Sequence, residues 1–294
     1  MTSVAKALVI LFFQEEHPFM PANIPQDISR GGEGHMQSEI ARALNLRYSP
    51  VAILLSNEKP PDALQFKEGR WGCVVAMFMA AARGKTAVFD RKTYGCLGGG
   101  VGLGFGNLYV NFPGGIEYFL STGNKEFCRS EAARNLVRNM PALEHGERYF
   151  KNPEVAKKFI DALPYTEVPT TYVIFKPLEQ VTEGETPEVV VFLANGDQLS
   201  ALAVLANYDR GGEPSVIVPF GAGCHTIFLF PYHEAKAERP RAVIGLTDIS
   251  ARKHVEKDLL SFAVPYKMFL EMESNVAGSF LELEEWQKVR ERNL

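Results

Sequence analysis

Apolar and polar positions along the chain fall into short blocks that predict alternating strands and helices. Ser38 precedes Glu39–Leu44, where Ile40, Ala41 and Leu44 share one face, so a capped short helix is expected. Pro50 opens Val51–Leu55, an unbroken apolar run that reads as a buried strand, and Asn57–Asp62 is rich in turn residues. The block from Cys73 to Ala82 carries no charge and stops at Arg83-Gly84, which predicts a helix buried on most faces. Lys85–Phe89 reads as a strand, Tyr94–Gly104 as a glycine-rich turn, and Asn107–Phe112 as a further strand before Pro113. From Asn124 to Pro164 the chain is charged and helical. Cys128, Ala132, Leu136 and Met140 recur at helical spacing, which puts Cys128 on a core face, and Pro153 stands near the start of a helix over Glu154–Leu163.

The second half follows the same order. Tyr172–Phe175 and Val190–Phe192 read as strands, Leu199–Tyr208 as an apolar helix ending at Arg210-Gly211, and Ser215–Val218 as a strand before Phe220-Gly221-Ala222-Gly223-Cys224. Arg83-Gly84 then corresponds to Arg210-Gly211, and Gly95-Cys96 to Gly223-Cys224. This predicts an internal repeat over about 50–105 and 171–226, packed about a pseudo-twofold axis, with a period far too long for a solenoid. Arg241–Leu246 reads as a buried strand with Thr247–Arg252 as the loop at its end, and Leu259–Val264 as a last strand. Pro265 opens a long amphipathic helix with Met268, Phe269, Met272, Val276 and Phe280 on one face; Trp286 and the mixed charges after it read as a solvated end or a homo-oligomer contact. The expected fold class is α+β (mixed α/β): two related strand-strand-helix-strand halves, connecting helices and a long C-terminal helix. Residues 1–36, broken by three prolines, read as an irregular extension ahead of one globular domain over 37–294, with Met36 an alternative start.

Composition narrows the function classes. Thirty-one Lys and Arg against 35 Asp and Glu give a net charge of −4 with no basic block, which argues against nucleic acid as a partner. The apolar run Ala7–Phe13 is too short to span a bilayer and lacks a small-residue cleavage site. Four widely spaced cysteines do not form a disulfide framework, so a reduced, cytoplasmic setting is expected.

Familiar motifs are incomplete. Gly84-Lys85-Thr86 ends like a phosphate-binding loop, but Met79 stands where its first glycine belongs; the glycines up to Gly106 never complete G-x-G-x-x-G; and there is no G-x-S-x-G or H-E-x-x-H. What remains is the glycine run with the cysteines. Gly98, Gly99, Gly100 and Gly102 let backbone approach a ligand and present N–H groups to it. If a helix starts at Leu97, its amides acidify Cys96; otherwise the glycines serve tight packing across the repeat axis. Cys73 begins a helix by the same argument or is a small buried hydrophobe. Cys73, Cys96 and Cys224 are candidate metal ligands for an iron–sulfur cluster or haem, with Cys128 or a histidine as the fourth, although known cluster motifs are denser. Arg70 beside Cys73 and Arg252 at a strand end are candidate anion contacts; the plainer reading of Asp248 and Arg252 is an ion pair or cap that holds the loops.

On Gly72-Cys73, Gly95–Gly99 with Gly102-Leu103-Gly104, Phe220–Cys224, Pro240–Arg252 and Phe262–Phe269, the chain resembles the prokaryotic family called domain of unknown function one-six-nine, over nearly everything from Ser38 to Phe280. The resemblance implies no activity or catalytic residues; the family's occurrence in many anaerobes implies a redox or metal role. The leading expectation is a cytoplasmic cofactor- or metal-binding, redox-related protein using the three cysteines. The alternatives are a metal-free binding module or enzyme for a small anionic metabolite, and a structural interaction protein.

Overall fold

Alternating side chains along the strands feed two separate cores, one on each face of a single sheet. In the computed structural model, which describes residues 37–212 and 214–292, seven strands run β1 (Val51–Ser56), β2 (Ala87–Phe89), β3 (Tyr172–Pro177), β4 (Val189–Ala194), β5 (Val216–Ile217), β6 (Ala242–Gly245) and β7 (Leu260–Pro265). Their order across the sheet is β2-β3-β1-β4-β7-β6-β5. Every neighbouring pair is antiparallel except β5 with β6, which is parallel. Val51, Ile53, Val189, Val191 and Leu193 enter one core, while Ala52, Leu54, Val190, Phe192 and Ala194 enter the other. That is the period-two alternation of a sheet covered on both faces. The edge strands β2 and β5 are three and two residues long, which limits exposed pairing edges.

Helices fill both outer layers. The first core takes α2 (Val74–Ala82), with Phe78 between β-strand residues and edge-on to Phe175 at 6.3 Å. The second takes α1 (Glu39–Leu44), α4 (Gly196–Ala206) and α6 (Tyr266–Ser274), named in chain order with α3 (Leu97–Gly102) and α5 (Ile249–Arg252). Phe78, Phe175 and Phe192 are fully buried, each contributing about 1.5–3 kcal/mol of transfer free energy. Caps follow the sequence: Ser38 accepts from Ala41 N–H, and Asn195 with Gln198 forms a reciprocal capping box at α4.

By its internal contacts the chain divides into two compact units, the sheet unit (37–66, 72–106 and 165–292) and a helical unit (67–71 and 107–164). The helical unit consists of short helices, four of which are capped by the side chains of Asn107, Asn124, Ser130 and Asn152. Gly123 at φ 76° and Gly146 at φ 70° allow its turns to close, since a Cβ on either would lie 2.1 Å or less from a carbonyl oxygen.

Several expectations change. Asn107–Phe112 is not a strand: Leu108–Asn111 winds into a 3₁₀ helix capped by the Asn107 side chain. The long C-terminal helix stops at Ser274, followed by a turn with Gly278 at φ 75°, a 3₁₀ helix over Phe280–Glu282 and a last helix over Glu284–Glu291. The helix through Cys128 is broken after Lys125–Cys128, and Cys128 is partly exposed. Leu64, in the stretch between β1 and α2, forms a single bridge to Ala87. The two stretches read as a repeat take different places in the sheet unit. β2 pairs antiparallel with β3, whereas β5 pairs parallel with β6, and α2 and α4 belong to opposite cores. The extension over residues 1–36 lies outside the described residues.

Candidate functional site

Four helices of the sheet unit begin at one place. Cys73 is the N-cap of α2, Cys96 of α3, Cys224 of a π-helical turn over His225–Leu229, and Asp248 of α5. Cys73, Cys96 and Asp248 have the extended backbone of a capping residue; the side chains of Cys96 and Asp248 accept from helix-start N–H groups, while that of Cys73 makes no capping bond. Gly99 N–H donates to Cys96 Sγ at 3.2 Å, and Ser250 N–H donates to Asp248 Oδ1 at 2.9 Å. A π-turn is rare and is frequent at functional positions.

The glycines set how closely these helix starts approach. A Cβ on Gly99 would lie 2.8 Å from Val74 Cγ2, and one on Gly223 would lie 2.7 Å from Val75 Cγ2 and 3.1 Å from Ala251 Cβ. A Cβ on Gly102 would strike Cys224, at 2.7 Å from its Cβ and 2.8 Å from its Sγ. The first turns of α2, α3 and α5 and the π-turn therefore meet. Cys224 Sγ donates to Gly98 O at 3.0 Å, and Gly223 N–H donates to Asp248 Oδ2 at 3.2 Å. The sulfurs of Cys96 and Cys224 thus touch the same Gly98–Gly99 peptide, which holds them within about 9 Å of each other.

Electrostatics separates the chemical options. Burial pushes the Cys96 thiol up to about 11, and the neighbouring Cys73 thiol adds to the shift. Burial raises Cys224 well above the ordinary thiol range, with Cys96, Cys73 and Asp248 contributing in that order. Cys73 is raised by burial, opposed by the amides of Ala76 and Val75 at the start of α2. The expected acidification of Cys96 by a helix start is therefore outweighed. A helix terminus supplies about 0.3–1 kcal/mol, against roughly 3 kcal/mol for the shift in Cys96. At neutral pH only about one Cys96 in 10⁴ is a thiolate, so it is not an activated nucleophile. His225 is buried and pushed down to about 3, so it is neutral, with its ring edge-on to Phe230 at 6.0 Å.

The other expected site residues fall as follows. Gly98, Gly99, Gly100 and Gly102 are inside α3 rather than in an open loop, and Gly99, Gly100 and Gly102 are buried. Gly99 and Gly102 serve close packing, while Gly98 supplies the carbonyl that receives Cys224. Arg252 donates to the carbonyls of Leu259, Glu256 and Lys257, holding the loop between α5 and β7. Arg70 and Cys128 belong to the helical unit, where Glu144 is near Cys128. Asp248 was legible as a loop cap; its second role, facing all three thiols, depends on the convergence of helices far apart in sequence. Among the described residues no group of three or more His, Cys, Asp and Glu side chains is placed to hold a metal ion. A surface cleft of about 550 Å³ beside α1, lined by Glu39, Arg42, Glu273 and Arg290 among others, includes none of the expected site residues. Among the described residues no helix is long and apolar enough to cross a membrane.

These features define a mixed α/β protein with one buried cysteine, two half-buried cysteines and a carboxylate at a junction of helix starts. The family DUF169, described as uncharacterised ArCR, matches residues 39–275, and the chain belongs to it. No curated protein and no solved structure matches the chain.

Proposed function

We propose that this chain is a redox-related cofactor-binding protein whose Cys73, Cys96 and Cys224 ligate an iron–sulfur cluster. The observation that supports the proposal is that three cysteines remote in sequence stand at converging helix starts, with Cys96 and Cys224 on the same Gly98–Gly99 peptide. Protonated thiols of high pKa are poor nucleophiles, but a metal deprotonates a coordinating thiol outright. The cluster-bound sulfurs then carry the negative charge that the amides of Val75, Ala76 and Gly99 favour. A cluster also places each cysteine on a different iron, so its ligands stand wider apart than those of one ion. That is compatible with thiols not gathered around a single point. Four unpaired cysteines fit a reducing cytoplasm, where such a cluster survives.

The same convergence of helix starts favours a second reading, a metal-free site for a small anionic metabolite. Engagement of Arg252 by three loop carbonyls weakens it. Iron and acid-labile sulfide analysis with an absorption spectrum, on protein purified without air, separates the two. The cluster reading requires iron and sulfide in similar amounts and a broad visible charge-transfer absorption. Colourless protein with neither, even after anaerobic reconstitution with iron and sulfide, refutes it.

A further inference from the structure

The cleft beside α1 is built by elements that take no part in the cysteine junction. Residues of α1, of the end of α6 and the turn after it, of the 3₁₀ helix over Phe280–Glu282 and of the last helix line it, all within the sheet unit. Val276, Ala277 and Leu281 supply apolar lining, and Glu39, Arg42, Glu273, Glu282 and Arg290 supply charge. Three of those charges are already matched. Arg42 pairs with Glu39 one turn away. Glu273 holds the start of α1: it accepts from Ser38 Oγ–H, and from Glu39 N–H at 2.8 Å. Arg290 donates to Arg42 O at 3.2 Å and to Gln287 Oε1 at 3.4 Å, which steadies its guanidinium without neutralising it. Among the described residues Arg290 meets no carboxylate, and the Glu282 carboxylate meets no cation or hydrogen-bond donor. Two opposite charges therefore line one partly apolar cleft of about 550 Å³ without pairing, an arrangement complementary to a ligand charged at both ends. Their spacing sets the length of that ligand. Arg290 lies six residues beyond Glu284 in one helix, about 9 Å along its axis, and Glu282 precedes that helix. A single amino acid carries both charges on one residue and is short for such a gap, whereas two or three extended residues span roughly 7–10 Å.

We infer that the cleft binds a dipeptide or tripeptide with free ends and apolar side chains. Glu282 takes the terminal ammonium, Arg290 the terminal carboxylate, and Val276, Ala277 and Leu281 the side chains. The site is separate from the three cysteines and stands whether or not they hold a cluster. Glu282 is exposed and Arg290 half-buried, so each end contributes modestly and binding weakens with added salt.

The test titrates full-length protein calorimetrically with leucyl-leucine, beside N-acetyl-leucyl-leucine, which lacks the ammonium, and leucyl-leucine amide, which lacks the carboxylate. Saturable binding of leucyl-leucine is expected, weakened about twofold to fivefold by blocking either end. Glu282→Gln is expected to weaken leucyl-leucine by the same factor while binding the N-acetyl peptide as well as wild type does. Arg290→Gln is expected to do the same with respect to the amide. Arg290→Lys, which keeps the charge, is expected to retain the preference for leucyl-leucine over its amide. A merely structural role for either residue would weaken all three ligands together, and that result would overturn the assignment of the two ends. No saturable binding of leucyl-leucine up to about 10 mM, or equal affinity for the free and blocked peptides, would overturn the site. Free leucine binding as tightly as leucyl-leucine would overturn the choice of a peptide.

Discussion

Replacing Gly102 by Ala tests whether the glycines of α3 exist to let it close on Cys224. A methyl group there would stand 2.7 Å from Cys224 Cβ and 2.8 Å from its carbonyl carbon and its Sγ. Ordinary contacts begin near 3.4 Å, and one of the struck atoms is backbone, so no rotamer change relieves the clash. Overpacking of this kind costs about 1–3 kcal/mol. Ala in place of Gly recovers about 1 kcal/mol of helix propensity in a helix interior, and less at the last residue of α3. The expected net loss is therefore about 1–2 kcal/mol, or roughly 0.5–1 M in urea midpoint. Trp286, buried in the sheet unit, reports the transition by fluorescence in a Trp71→Phe background. Gly196→Ala is the control, since a Cβ there meets nothing within 4 Å, and it should stay within about 0.5 kcal/mol of wild type. A Gly102→Ala protein as stable as wild type, or more stable, would refute the packing argument.

In chelator-treated protein the Cys96 contribution to stability is fully present below the ordinary thiol pKa and is lost as pH rises toward about 11. Unfolding free energies from urea titrations should fall above pH ~8.5 by up to about 1.4 kcal/mol per pH unit, less steeply in Cys96→Ser; a flat profile to pH 10.5 would contradict the burial of that thiol. The unfolded chain protonates His225 near pH 6.5 while the folded protein resists until about 3, so stability should decline as pH falls through that window. His225→Phe should flatten the decline, and an unchanged slope would show that the ring is not held neutral. Asn195→Ala removes one arm of the α4 capping box and should cost about 1 kcal/mol, measured by thermal melting; an unchanged melting temperature would deny the cap a stabilising role.

The elements of the sheet unit were legible wherever burial imposes a simple period. Val51–Leu55, the uncharged run ending at Gly84, and Leu259–Val264 each appear within about two residues of their expected bounds, the usual margin for such boundaries. Misreadings arose where local side-chain hydrogen bonds or turns override that period. Asn107 caps a 3₁₀ turn in a sequence with strand-like residues, and a glycine at positive φ divides the C-terminal helical run. Glycine-rich Leu97–Gly102 reads as a loop by propensity, yet tertiary packing holds it as a helix because Val74 and Cys224 occupy the space its side chains would need. The order of strands across the sheet was not legible, because strand pairing is a long-range choice. For the site, Cys73, Cys96 and Cys224 stood out as residues, whereas Asp248 gained its second role only from the meeting of helix starts at Gly223.

Iron content across the four cysteine variants tests the central claim most directly. Each of Cys73→Ser, Cys96→Ser, Cys224→Ser and Cys128→Ser would be reconstituted anaerobically beside the wild type, with iron and sulfide measured per folded chain. The cluster assignment predicts that the first three lose most of their iron and visible absorption while Cys128→Ser matches the wild type. A Cys96→Ser protein that keeps the full wild-type complement of iron would contradict it.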